Sequence, residues 1–551
     1  MPASETTSAE STVERTATRR AIAQSVIVVG AGSAGSVIAR RLVDAGIRVH
    51  LLEAGGDDNN PAIHDPSRMG ELWHSADDWD YYTVPQKHAA GRRLHLPRGK
   101  VVGGSHSLNA MIWVRCAPAD YDHWAALGND GWAWNDVLPL YKHIENFRST
   151  AQLSDAERAL HGTDGLLDVT DDYPLEPIQG AIIDAAVQSG LPLNPDYNGE
   201  SLDGVSQEQV NIRGGQRLNS YMAYVKPVAD NELLTVSTGC HVHRLLFDES
   251  PSSSGDAAQS SVPRVIGVEL ESGGETRKLF ADEVILAAGA LDSPRVLLRS
   301  GIGPADELQA LGIRSRVNLP GVGKNLHDHL LAPVIFGTER PIDPPRPGVS
   351  ITQSHLFWKS LPELEVPDTQ PIHFSVPMYQ DNMQGPESGF SLMAGIVTPK
   401  SRGTVKLSGP EAHDPLLIDL AALEDDDDVR SLVASVRQCR QIGRQAALAE
   451  AWGASEVYPA AEIGGADNDD EVALRDYVRA HAVTYHHQVG TCTMGISVED
   501  GAVVTPRLRV HGVDGLRVAD ASIMPRITTG NTNAPAVLIG EQAARFILAG
   551  E

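Results

Sequence analysis

Apolar residues first concentrate at Val26–Val29, a short β-branched run of the kind buried on both faces in a parallel sheet. Val37, Ile38 and Leu42 follow at helical spacing, and a second apolar run, Val49–Leu52, ends in Glu53. The pattern predicts strand, helix and strand within about 30 residues. A helix is expected near 177–189, and strands in "ELLTVSTG", "HVHRLLFD" and "VPRVIGVELES". Between the last two lies "ESPSSSGDAAQSS" (249–261), which reads as a solvated hairpin loop. "ADEVILAAGALDSPRVLLRSGIG" (281–303) predicts a buried strand, a turn and a helix, and "RGTVKLSG" a strand. Apolar-periodic helices are expected from near 424 and 468, and the last 50 residues return to strand, turn and helix.

With 551 residues the chain has material for two to four domains. The elements predict a mixed fold, α/β in its nucleotide-binding part and α+β overall. A formal charge of −27 disfavours nucleic acid and anionic membrane surfaces as partners. Cys116, Cys240, Cys439 and Cys492 show no CxxC spacing, so neither disulfides nor structural zinc are indicated, and a cytoplasmic location is expected. The acidic runs 424–428 and 467–471 each precede a helix, where negative charge is stabilising without a metal. No metal site is expected. No apolar run reaches the roughly 18 residues of a membrane span. Residues 1–23 are polar and lack an apolar export segment despite Arg19-Arg20, and read as a mobile extension.

Gly30, Gly32 and Gly35, with Ser33 and Ala34 between them, stand where the first strand turns into the helix. Such a turn lets backbone approach a pyrophosphate at a helix N-terminus. Glu53, followed by Ala54, is placed to accept hydrogen bonds from ribose hydroxyls and disfavours a 2′-phosphate. An adenosine diphosphate moiety is implied, from FAD or NAD.

Further motifs choose between the two. "RGKVVGGSHSLNAMIWVR" (98–115), "GALDSPRVLLRSGIG" (289–303), "GLRVADASIMP" (515–525) and "GNTNAPAVLIGE" (530–541) together resemble the glucose–methanol–choline (GMC) oxidoreductases, from about residue 24 to the C-terminus. Two departures stand in the first motif, His106 and Cys116. The resemblance implies a Rossmann-type FAD-binding domain (24–165, 212–330 and 485–551). It also implies an inserted substrate-binding domain (166–211 and 331–484) built on an antiparallel sheet with helices. It places Val102, Gly103, Gly104, Ser105, Asn109, Ala110 and Met111 along the flavin and pyrophosphate. Val242 would meet the adenine, and Asp520, Ala521 and Asn531 the remainder of the cofactor. Some relatives anchor FAD covalently through a histidine where this chain has Leu108, so noncovalent FAD is expected, and His106 reads as a packing or hydrogen-bonding residue.

"TYHHQVGTCTMG" (484–495) carries two adjacent histidines, which on extended backbone face opposite ways. By resemblance His487 is the catalytic base and Asn533, in the terminal NxN segment, orients the substrate. His486 then turns into packing or toward the substrate side. His373 stands either in the core or near the substrate. Choline-oxidising relatives carry a Glu after "NLxDH", and this chain has Leu331, so choline is disfavoured and an apolar or neutral pocket wall is expected. The implied activity is FAD-dependent oxidation of an alcohol, primary by preference, with electrons passed to O2 or to a quinone or dye. The alternative is a non-redox flavin lyase or decarboxylase on the same fold. Monomer and dimer both remain open.

Overall fold

The computed structural model describes residues 23–249 and 262–551. The N-terminal extension up to residue 22 and positions 250–261 of the polar insert lie outside the described residues. Five parallel strands form the first sheet, in the spatial order Leu234–Ser237, Arg48–Leu52, Ser25–Val29, Glu283–Leu286, Leu516–Val518. Val26, Ile27 and Val28 are almost fully buried, as expected of a parallel strand covered on both faces. The amphipathic helix Ser33–Asp44 packs against the C-terminal helix Asn533–Leu548. Gly540 permits that approach, since a Cβ there would sit 2.7 Å from the Ala34 carbonyl oxygen. Arg41 clasps Glu541 across the pair at 2.7 and 2.9 Å. Cys240–Phe247 and Val265–Ser272 pair antiparallel, with Glu275–Phe280 alongside.

The second sheet is antiparallel in its interior and runs Ser455–Tyr458, Leu330–Gly337, Gly389–Ile396, Ile372–Phe374, Thr352–Phe357, Gly204–Gln207. Leu330–Gly337 and Gly389–Ile396 are buried throughout. The helix Asp426–Gly443 covers part of this sheet. Asp425 caps that helix, accepting from the Asp427 N–H, and three aspartates fill its first turn; in the second acidic run Asp470 likewise caps Glu471–His481, accepting from the Ala473 N–H. Val483–Thr484 pairs with Leu330–Leu331 and brings the two-histidine segment onto the sheet edge. All four cysteines are free and buried. Among the described residues no helix is long and apolar enough to cross a membrane.

Candidate active site

A cavity of about 700 Å³ runs between the two sheets, within the range of cofactor-sized sites. One end is bounded by Cys240, His241 and Val242, the other by Leu331, Ile372, Phe374 and Met393. Along its length it touches Gly30, Gly32, Ser33, Ala34, Glu53, Ala54, Gly104, Ser105, Asn109, Ala110, Asp520, Ala521 and Asn531.

The glycine-rich turn has the shape that a dinucleotide needs. Gly30 adopts φ +104°, and a Cβ there would lie 2.4 Å from the Ala287 carbonyl oxygen. Gly32 caps the helix without a side chain, and no acid occupies the first turn, which leaves an uncompensated helix N-terminus facing the cavity. Glu53 accepts from the Ala31 and Gly55 N–H groups at 3.0 and 2.9 Å. Burial lifts its pKa to about 7. Asp520 accepts from the Gly289 N–H at 2.8 Å and so joins the last parallel strand to the helix Gly289–Arg299. The donors, acceptors and backbone cradle match the diphosphate and ribose of FAD.

Four residues expected along the cofactor do not line the cavity. Gly35 is packed under the turn, where a Cβ would lie 1.9 Å from the Gly30 carbonyl oxygen. Gly103 and Val102 hold the cradle from behind, donating to the Ala31 and Gly56 carbonyls. Met111 packs with Val210 and Ile212 instead. His106 is fully buried, with Nδ1 3.1 Å from Ser220 Oγ, and burial lowers its pKa to about 3.

His486 and His487 both line the cavity. Of the two placements open to His486 the structure adopts the cavity side, because its φ is +66°, a left-handed kink that suspends the alternation of extended backbone. His486 Nδ1 sits 2.7 Å from Thr484 Oγ1, its ring meets Trp73 edge-on at 5.4 Å, and its carbonyl accepts from Arg98. His487 is held more tightly. Its N–H donates to Asp328 Oδ1 at 2.7 Å, its ring stacks on Tyr485 at 4.5 Å, and its Nδ1 lies 3.0 Å from His329 Nδ1.

The neighbour of His487 Nε2 is Asn531, whose Nδ2 lies 3.4 Å away. Gln370 Nε2 donates to Asn531 Oδ1 at 2.8 Å and fixes the amide in that orientation. Asn533 is not the partner. It is the first residue of the C-terminal helix; its Oδ1 accepts from Ser33 Oγ at 2.7 Å and its Nδ2 lies 3.2 Å from His106 Nε2. The two amides of the NxN segment straddle the helix start and so point to different places. His373 is also off the cavity. Ile372 and Phe374 line it, so the residue between them turns to the opposite face, where His373 Nδ1 meets Ser354 Oγ at 2.8 Å. His329 and Gln370 are absent from the sequence candidates. The only available signal was the second histidine of "NLHDH", and nothing local marks Gln370.

The hydrogen bonds assign the protons. Nε2 of His487 accepts from the Asn531 amide, so the His487 proton resides on Nδ1 and is donated to His329 Nδ1. Burial, reinforced by His329, His486 and Arg98, holds the His487 pKa well below 6.5. Burial also pushes His329 to about 3. A neutral imidazole whose Nε2 lone pair faces an oriented amide at 3.4 Å, at one end of a dinucleotide cavity, is equipped to take a proton from a substrate.

A parallel sheet with a dinucleotide turn, joined to an antiparallel sheet that closes over a neutral imidazole, is consistent with a flavin-nucleotide oxidoreductase. The chain belongs to the GMC oxidoreductase family, whose N-terminal model matches residues 24–331 and whose C-terminal model matches residues 399–540. It is 35% identical over 548 residues to an alcohol dehydrogenase (acceptor) of Pseudomonas putida, covering 95% of both chains. It is 34% identical over 547 residues to an oxygen-dependent choline dehydrogenase of Brucella ovis, again covering 95% of each. The crystal structure of pyridoxine 4-oxidase from Mesorbium loti superposes with a TM-score of 0.84 at 34% identity, over 95% of this chain and 98% of that one. The chain is therefore an FAD-dependent oxidoreductase of the alcohol-oxidising GMC type.

Proposed function

We propose that the enzyme oxidises a neutral primary alcohol on an aromatic, heteroaromatic or aliphatic frame to the aldehyde, with His487 as base and Asn531 as orienting residue. The observation that carries this is the chain Gln370–Asn531–His487–His329, which sets an imidazole lone pair beside an apolar wall. Leu331, Ile372, Phe374 and Met393 form that wall, with Ile372 directly opposite Met393 in the sheet. The substrate hydroxyl would accept a hydrogen bond from Asn531 Nδ2 and give its proton to His487 Nε2. Asn531 thereby holds the carbinol carbon in one orientation, which is where much of the rate of such a reaction arises. FAD, when bound, supplies the acceptor for the hydride. Leu108 lines the cavity where a covalent anchor would stand, which supports noncovalent FAD.

Choline fits this wall poorly. Of the carboxylates lining the cavity, Glu53 and Asp520 are bound to backbone N–H groups, Asp292 accepts from Tyr81, and Asp381 is solvent-exposed. Leu331 offers a trimethylammonium group no counter-charge. The name of the pyridoxine 4-oxidase relative denotes a heteroaromatic alcohol, which supports that class here. Anaerobic mixing with an alcohol panel tests the proposal. Aromatic and heteroaromatic primary alcohols should bleach the flavin absorbance and choline should not. Persistent oxidised flavin across the panel would favour a non-redox reaction instead. Comparing peroxide formation with dye reduction then identifies the electron acceptor.

A further inference from the structure

Two histidines of one strand and a third from far along the chain converge near the end of the cavity opposite His487. His241 and His243 project from one face of the strand Cys240–Phe247, and Glu271 stands opposite His241 on the partner strand. His413 comes from the turn between Thr404–Leu407 and Leu416–Asp419. His413 Nε2 lies 3.1 Å and His243 Nε2 3.6 Å from the same Glu271 oxygen. The ring centroids are separated by 5.0 Å (His241–His243), 5.7 Å (His243–His413) and 6.0 Å (His241–His413). At a tetrahedral zinc ion, Zn–N bonds of about 2.0–2.1 Å put donor atoms roughly 3.3 Å apart and ligating ring centroids roughly 5 Å apart. The cluster is already close to that geometry.

A His413–Glu271 ion pair accounts for only part of the cluster, because His243 Nε2 is buried without a hydrogen-bond partner. We propose that His243 Nε2, Glu271 and His413 Nε2 form a site for a borderline divalent cation such as Zn²⁺, with His241 adjoining it. The imidazole and carboxylate donors suit that class of ion, and the strongly negative chain favours cations. Arg299, which donates to the His243 carbonyl at 3.1 Å, opposes it and limits affinity. Occupancy would pin the 408–415 turn to the hairpin. Arg295, a cavity residue, already holds the same turn through the Ala412 carbonyl at 2.8 Å, so the cation would brace one end of the cofactor site. The expected absence of a metal followed from local spacing alone, and these ligands come from three separate segments. A second cluster, His74–Asp80–His95, is less suitable. Its imidazoles are stacked at 4.0 Å, and each already meets Asp80, at 2.7 and 3.0 Å.

The test uses FAD-loaded protein stripped with chelator and dialysed against micromolar Zn²⁺, with bound zinc counted by mass spectrometry and melting followed in parallel. One zinc per chain and a raised melting temperature are expected. His413→Ala, at a mostly exposed side chain, and Glu271→Gln should each weaken zinc binding at least tenfold and abolish the thermal shift, with flavin content unchanged. His74→Ala should bind zinc as the wild type does. The proposal is overturned if the wild type retains no zinc. It is equally overturned if His413→Ala and Glu271→Gln bind as tightly as wild type, or if only His74→Ala loses the ion.

Discussion

Replacing Gln370 by Met keeps the length of the side chain and removes the donor to Asn531 Oδ1, a contact of 2.8 Å in a fully buried setting. An unsatisfied buried acceptor costs about 1–3 kcal/mol. The cost falls on the productive orientation of the Asn531 amide, the one that directs Nδ2 toward His487. A flipped amide would present its oxygen to Nε2, draw the imidazole proton there and remove the lone pair that accepts from substrate. Converting 1–3 kcal/mol gives a loss of roughly 5- to 150-fold in the flavin-reduction rate constant. Gln370→Glu should be worse, because an ionised carboxylate accepts from Nδ2 and enforces the flip. Anaerobic stopped-flow reduction by the best alcohol of the panel measures the effect, with flavin content and melting temperature as controls for folding. Wild-type reduction by both variants at full flavin occupancy would refute the role given to the amide chain.

Asn531→Ala should lower flavin reduction by about 10²-fold or more and His487→Ala by about 10²- to 10⁴-fold. Asn533→Ala, which removes the contact to Ser33, should act mainly on flavin retention, seen in the absorbance of purified protein. Leu331→Glu, judged by steady-state kinetics, should raise activity on choline and lower it on neutral aromatic alcohols. Gly104→Ala places a Cβ 2.9 Å from the Gly32 Cα at φ +54°, so purified protein should carry less flavin. Acid should destabilise the fold from near pH 6.5 downward. Burial holds His106, His329, His355, His373 and His486 near 3 in the folded protein, against about 6.5 when unfolded. Between those values the unfolded chain binds more protons, so stability rises with pH, by up to about 1.4 kcal/mol per histidine per pH unit. Asp328, Glu53 and Asp120, raised by burial to about 7, 7 and 6, act in the opposite sense but are fewer. Denaturant melts between pH 4 and 7 check the slope; a midpoint that does not rise with pH would contradict it.

The glycine turn, Glu53 and the succession of strand, helix and strand around them were legible because their constraints are local: a tight turn, a helix N-terminus and an acid at a strand end. His487 was legible through its register with the "VGT" turn. The choice between Asn531 and Asn533 was not. Both lie in one short segment, and only the start of the helix at Asn533 separates the amide that meets His487 from the one that meets Ser33. Which way His486 turns stayed open for a related reason, since period-two alternation assumes extended backbone and its φ of +66° breaks it. Gln370 reaches the site through tertiary pairing, its N–H donating to the Gly395 carbonyl, and no sequence spacing discloses that.

The base and the substrate wall share a single piece of backbone pairing. Val483–Thr484 pairs with Leu330–Leu331, and the Tyr485 N–H donates to the His329 carbonyl at 2.9 Å. The strand that offers Leu331 to the substrate therefore begins immediately after the histidine that accepts the hydrogen bond from His487. Across the same sheet, Leu331 stands opposite Gly395, whose carbonyl holds Gln370 and through it Asn531. Base, orienting amide and apolar wall are thus referenced to one register. A one-residue slip would move all three, and burial of the strand along its whole length together with different partners at its two ends holds the register against it. Exchanging Leu331 for a bulky residue should consequently change kcat together with KM, because displacement of the wall is transmitted to His329 and Gln370.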